Sequence, residues 1–228
     1  YVEILSVEPN NAIVLNLIGL LKYQQGLLDE AVELIKKSIE INPCAYFYGN
    51  LGKIYIDKSN FLKAIDCQKK ALEKEPDNFD NWFYLAIALR KNNQADEAVK
   101  AYKKAIMLNP NLYQVYFNLG NLYFDDKNDS DTAAIYYRKA LWLNPNDDFI
   151  KYTLAEACIK SKQYEEGINL FETRISREAA ILSCQKVIPE ILDIKPIWNG
   201  EPVEDKTVYV YYEAAYGETP NQFAADAY

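Results

Sequence analysis

"NLGNLYF", residues 118–124, sets one glycine, Gly120, among large apolar side chains and asparagines. A glycine inside a helix-like run costs about 1 kcal/mol relative to alanine, so its place needs a compensating reason. The same stretch recurs as "NLGKIYI" at 50–56 with Gly52 and as "NLIGLLKY" at 16–23 with Gly19. In "WFYLAIAL" at 82–89, Ala86 holds the glycine's place. Each copy is followed by a second run that begins at Ala31, Ala64, Ala98 or Ala133 and closes on a proline, as in "AVELIKKSIEINP". Pro9, Pro43, Pro76, Pro110 and Pro145 follow one another at intervals of 34, 33, 34 and 35 residues. Two helical runs per unit at this period predict a helical solenoid. Two antiparallel helices approach closely only where their contact residues are small, so close packing offsets the glycine's penalty. On this reading Gly120 faces Ala133, and each proline ends a second helix because it fixes φ and lacks an N–H.

Composition narrows the function classes. The chain has 228 residues, is 50% hydrophobic and carries 25 cationic against 33 anionic side chains, a net charge of −8. An acidic surface disfavours nucleic acid and anionic membrane as partners. The longest apolar run, "AIVLNLIGLL", is too short to span a bilayer. Cys44, Cys67, Cys158 and Cys184 have no CxxC pairing and read as reduced thiols of a cytoplasmic protein. Histidine is absent, which removes histidine-based nucleophile activation, acid–base catalysis and histidine metal sites. The carboxylate pairs Asp125/Asp126 and Asp147/Asp148 read as solvated turn residues that favour a following helix start. No catalytic residue, metal site or cofactor is expected in the solenoid.

With the closing proline numbered 32, these units resemble tetratricopeptide repeats. That family has large residues at positions 4, 7, 11 and 24 and small ones at 8, 20 and 27. The unit from Phe79 supplies Trp82, Leu85, Ala86, Leu89, Ala98, Tyr102, Ala105 and Pro110. The unit from Ala45 departs with polar Gln68 at position 24. The unit from Ala12 has Lys22 where an aromatic is usual, with Tyr23 beside it. The unit from Tyr113 carries one extra residue, assigned to the loop "DDKNDSD", and a fifth unit from Asp148 lacks the closing proline. The expected fold is all-α, a right-handed solenoid of about five helix-turn-helix repeats. Residues 1–11 read as the end of a preceding repeat, so the chain looks like a piece of a longer protein. The solenoid is expected over 12–175, a terminal helix and linker over 176–206, and an incomplete domain over 207–228.

The resemblance implies that the first helix of each repeat lines a concave groove. Its ligand-facing positions are Tyr46, Asn50, Lys53, Asp80, Phe83, Tyr84, Ile87, Gln114, Phe117, Asn118, Asn121, Phe124, Phe149 and Tyr152. Asparagines can pair with the main chain of an extended peptide, and aromatics add contact area at small entropic cost. Asn50 and Asn118 match the asparagine ladder of the O-GlcNAc transferase arm, which Leu17, Tyr84 and Thr153 interrupt. No three successive repeats supply the carboxylate clamp of chaperone-binding members. The implied partner is a protein or an extended peptide.

The tail is of another kind. "TVYVYY", 207–212, reads as a β-strand, followed by a glycine loop and a helix from about Asn221. Its segment is similar to the junction between tetratricopeptide repeats and a GT-B glycosyltransferase-like domain in bacterial proteins. Pro196, Trp198, Gly200, Pro202, Lys206, Thr207, Glu213, Gly217, Thr219, Phe223 and Tyr228 follow that order. "EAAYGET" departs from it by lacking the first glycine and placing Glu218 where aspartate is usual. Gly217, Glu218 and Thr219 are the implied ligand loop of the incomplete domain. The leading reading is a peptide- or protein-binding scaffold. The alternatives are the acceptor-recruiting arm of a glycosyltransferase-like enzyme and a self-assembly module.

Overall fold

The computed structural model describes residue 8, residues 10–171, Tyr209–Val210 and Phe223–Ala224. The chain divides into two units, Tyr1–Ser176 and Arg177–Tyr228. The first unit is a succession of helix pairs. Its helices are α1 (Ala12–Gln24), α2 (Leu28–Ile41), α3 (Ala45–Asp57), α4 (Phe61–Lys74), α5 (Phe79–Lys91) and α6 (Ala95–Leu108). They continue as α7 (Tyr113–Asn121), which runs into a π-helical turn at Leu122–Asp126, then α8 (Ser130–Leu143) and α9 (Asp148–Lys160). Residues 164–171 are again helical.

Local chemistry sets where each helix starts and stops. Asn11, Asn60, Asn78, Asp129 and Asp147 each accept a hydrogen bond from a backbone N–H of the first turn that follows, satisfying a donor the helix cannot. Asn42, Glu75, Asn109 and Asn144 precede the closing prolines, and all four leave the helical region, with ψ between 77° and 97°. The proline ring disfavours a helical residue before it, so the second helix ends there. Within each pair the helices are joined by three residues, and the middle one takes a positive φ. These are Gly26 (77°), Ser59 (55°), Asn93 (60°), Asn128 (51°) and Lys162 (63°). One turn geometry is therefore kept at five positions through four residue types.

The small residues sit at the helix contacts, in a register that differs from the expected one. A Cβ on Gly120 would lie 2.6 Å from two ring carbons of Tyr137. Gly19 meets Ile35 and Gly52 meets Gln68 in the same way, at 2.7 and 2.5 Å. The partner of the repeat's glycine is thus the large residue at position 24. Ala133 instead packs nearer the turn, in one cluster with Tyr123 and Phe124. The reason is the hairpin itself, which opposes residues at similar distances from its turn. Tyr137 lies nine residues after Asn128 and Ala133 only five. Ala31, Ala64, Ala98 and Ala133 are all fully buried.

The extra residue of the fourth repeat is not in the loop. The first helices α1, α3, α5 and α9 each have 13 residues, whereas α7 and its π-turn have nine and five. The three-residue turn 127–129 keeps its hydrogen bond from Asp129 N to Tyr123 O and its cap on Thr132, so the helix takes up the insertion. Asp125 and Asp126 therefore end a helix and do not lie in a loop. Asp147 does cap a helix start, as expected.

In the second unit Tyr209–Val210 pairs antiparallel with Phe223–Ala224, with Tyr209 opposite Ala224. The first pair falls inside the expected strand 207–212. Phe223–Ala224 is a strand where a helix was expected, because a strand edge needs partners for its N–H and C=O groups. The remainder of 207–212, the linker at 176–206 and Gly217, Glu218 and Thr219 lie outside the described residues.

Candidate peptide-binding groove

The first helices form a connected layer, α1 touching α3 and α3 touching α5. Side chains continue the link. Asn50 of α3 donates to Asn16 of α1 at 3.2 Å, Lys53 lies 4.3 Å over the Tyr84 ring of α5, and Phe117 of α7 packs 5.6 Å from Phe149 of α9. Between α5 and α7 the tie is Arg90. Its guanidinium donates to Asp126 at 2.6 Å, to Asp125 at 2.7 Å and to the Asn121 carbonyl at 3.2 Å.

Aromatic side chains dominate the accessible part of this face. Tyr46 and Phe149 are the most exposed, at 57% and 64%. Phe83, Tyr84, Ile87, Phe117, Phe124 and Tyr152 are half-buried, and Gln114 and Asp80 are exposed. The rings hold one another. Phe83 packs against Tyr84 at 5.3 Å, Phe117 against Tyr137 at 5.6 Å and Tyr152 against Phe171 at 5.7 Å. Contacts of this kind fix ring orientation before any ligand arrives. Lys160, at 4.6 Å over Phe124, places a second cation on a ring.

The asparagines are engaged within the protein. Asn50 is buried and bonded to Asn16, which removes it from the ligand-facing surface. Asn118 donates to the Gln114 carbonyl of its own helix at 2.8 Å, and Asn121 accepts from the Tyr137 hydroxyl at 2.7 Å. Each amide already serves the fold. The neighbouring charges are occupied as well. The Tyr23 hydroxyl donates to Asp57, and that hydrogen bond, with burial, raises the tyrosine to about 12. Burial, with Asp80 and Asp57 near, also pushes Tyr84 upward.

Two residues that shape this face, Asn81 and Arg90, are not singled out by the repeat pattern. Asn81 is buried with its Oδ1 2.6 Å from where a Gly49 Cβ would stand. Gly49, three residues before Gly52 on α3, was the signal for that close approach. Arg90 had no signal at the level of the repeat pattern, because its carboxylate partners follow 35 and 36 residues later. Among the described residues no group of His, Cys, Asp and Glu could hold a metal ion, and no helix is long and apolar enough to cross a membrane. Cys67 and Cys158 are buried free thiols, both pushed up to about 11 chiefly by burial.

Family models for the tetratricopeptide repeat match residues 12–43, 45–78, 67–100 and 113–147, and a model for the TPR repeat matches 87–127. Together these spans take in more than half of the chain. The peroxisomal targeting signal receptor of Candida albicans is 40% identical over 70 residues, 31% of this chain and 12% of the receptor. The protein O-mannosyl-transferase TMTC3 of Homo sapiens is 30% identical over 115 residues, 49% of this chain and 13% of that protein. The chain thus spans a small part of the curated relatives it matches. Among solved structures, MamA superposes with a TM-score of 0.68 at 22% identity, covering 79% of this chain and 98% of MamA. YrrB, described as a TPR protein with an unusual peptide-binding site, does so with a TM-score of 0.62 at 20% identity, covering 82% and 97%. At these identities the likeness is one of fold.

Proposed function

Because the chain belongs to the tetratricopeptide repeat family, we propose that it is a scaffold holding a protein or an extended peptide on the face of its first helices. The observation that carries this reading is the row of pre-positioned rings running from Tyr46 through Phe83, Tyr84 and Phe117 to Phe149 and Tyr152. Rings already packed against their neighbours lose little rotational freedom when a ligand covers them. Asn50 and Asn121 tie neighbouring helices together, and Asn118 is bonded within its own helix, so the rings and not an amide ladder supply the affinity. Of the matched proteins, one is named a targeting signal receptor and one is described as having an unusual peptide-binding site. Both names agree with the proposal.

The test is selection of binding peptides on an array, followed by fluorescence anisotropy with the purified chain. Replacing Phe83, Phe117 and Phe149 together by alanine should weaken the selected peptides by at least about tenfold, a loss of roughly 1.4 kcal/mol or more from interface rings. Asn118→Ala should change affinity little. If Asn118→Ala weakens binding more than the triple change, the aromatic face is not the site.

The proposal extends to organisation. Residues 12–175 act as the binding solenoid, and 176–206 join it to 207–228 as the start of a GT-B-like domain carrying the Gly217–Thr219 loop. In that arrangement the solenoid would recruit an acceptor for the domain that follows. The buried thiols Cys67 and Cys158 fit a reducing compartment such as the cytoplasm.

A further inference from the structure

The outward rows of the second helices change character along the array. On α2, Glu33 and Glu40 flank Lys36 and Lys37, and on α4, Asp66 and Glu73 flank Lys69 and Lys70. These rows alternate in sign and partly neutralise themselves, as in the 2.7 Å pair between Lys70 and Asp66. On α6 the same positions hold Lys100, Lys103, Lys104 and Met107, and on α8 they hold Ile135, Arg138, Lys139 and Trp142. The spacing i, i+3, i+4, i+7 puts each set on one helix face. The flanking acids have been replaced by a lysine and by large apolar groups.

Those groups are accessible. Met107 is 77% exposed, Trp142 70% and Ile135 61%. Lys100 and Lys103 are exposed and form no ion pair with a described residue, and Lys104 reaches Asp77 only at 4.0 Å. Arg138 is committed to Glu166 at 2.6 Å. Lys139 lies 3.9 Å over the Trp142 ring, which fixes the indole on the surface beside a positive charge. Ile106 of α6 and Tyr136 and Leu143 of α8 share one apolar cluster with Tyr116 of α7, which ties the two helices together beneath their outward rows.

We propose that the outward face of α6 and α8 is a second interaction surface, which binds an acidic amphipathic segment of a protein partner. Carboxylates of that segment meet Lys100, Lys103 and Lys139, and its apolar side chains cover Met107 and Trp142. Free lysines select negative charge, while exposed Met and Trp are residue types enriched where proteins meet. The outward rows of α2 and α4 carry two acids each and those of α6 and α8 carry none, in a chain of net charge −8. A long polyanion would be repelled beyond them, whereas a short acidic segment would not.

The probe is a fluorescently labelled synthetic peptide of glutamate, leucine and phenylalanine, arranged with one acidic and one apolar face and titrated against the full chain. Binding is expected to weaken as salt is raised. The double variant Lys100→Glu/Lys103→Glu and the single variant Trp142→Ala should each reduce affinity by about tenfold with unchanged circular dichroism. The groove variant Tyr46→Ala/Phe149→Ala, at two exposed rings, should bind the probe as the parent does, which separates this surface from the groove. Equal binding of polyglutamate would overturn the proposal, as would loss of binding in the groove variant. So would capture of the chain by anionic vesicles, or lysine-dependent self-association, without binding of the peptide.

Discussion

Gly120 has no side chain, and the ring of Tyr137 stands where one would be. Two ring carbons lie 2.6 Å from the site of a Cβ, well inside van der Waals contact. That ring is also held by Phe117 and by its hydroxyl bond to Asn121, so it cannot swing aside. Gly52 faces a different neighbour, the end of the flexible Gln68 side chain, with Nε2 at 2.5 Å. There a methyl group would displace an amide and its 3.2 Å bond to the Gly49 carbonyl. We expect Gly120→Ala to cost roughly 1–3 kcal/mol, as overpacking does. Gly52→Ala should cost less, about the value of one neutral hydrogen bond near 1 kcal/mol. Urea denaturation of both variants checks this. A Gly120→Ala midpoint equal to the parent's would mean that the ring is free to move. The sequence showed that something small was needed at position 8. It did not show that the reason at Gly52 is polar, because Gln68 breaks the family's preference for a large apolar residue there.

The fourth first helix shows what an element does with a surplus residue. Its turn keeps the same three-residue form as the others, so the π-helical stretch Leu122–Asp126 absorbs the insertion. Tyr123 stacks on Tyr136 at 5.5 Å with planes 16° apart, and Arg90 crosses from α5 to hold Asp125 and Asp126. Removing the guanidinium leaves two adjacent carboxylates unpaired. Arg90 is partly buried and the aspartates are more exposed, so solvent screening limits the loss. Arg90→Ala should lower stability by about 1–2 kcal/mol, the range of a hydrogen bond to a charged group after that discount. Deleting Asp125 in the Arg90→Ala background should recover most of it, since the helix regains the 13-residue length of its counterparts. Thermal melts of the three proteins decide the matter. A double change less stable than Arg90→Ala alone would show that the π-turn is required for packing and is not an accommodated insertion.

At the scale of the whole molecule, a solenoid has no single centre, and each helix pair is stable because its neighbours cover its apolar side. One apolar cluster runs from Ala12 to Leu122, and further clusters take in α7, α8, α9 and Leu170. If 12–175 is the binding unit, mild proteolysis should leave a helical fragment ending near residue 175, with the cuts concentrated after it. Mass spectrometry of the resistant fragment, with circular dichroism, is the measurement. A fragment ending before α9 would exclude the fifth unit from the cooperative array.

The repeat period, the helix pairs, the helix-ending prolines and the small residues were legible in the sequence alone. All are products of short-range chemistry: φ restriction at proline, side-chain caps, and 3.6-residue periodicity read within one helix or its neighbour. The aromatic residues proposed for the groove are also named from the sequence, since position in a repeat fixes the side of a helix. Tertiary structure alone decided that Tyr137 and not Ala133 faces Gly120, and that the extra residue entered a helix. It also decided that Asn50, Asn118 and Asn121 were already bonded within the protein. Each of these depends on a partner supplied by another turn or another helix, such as Asn16 for Asn50, 34 residues away. Whether an amide is free for a ligand is set by which groups the fold brings within 3 Å or so of it, and the order of residues along a chain does not contain that distance.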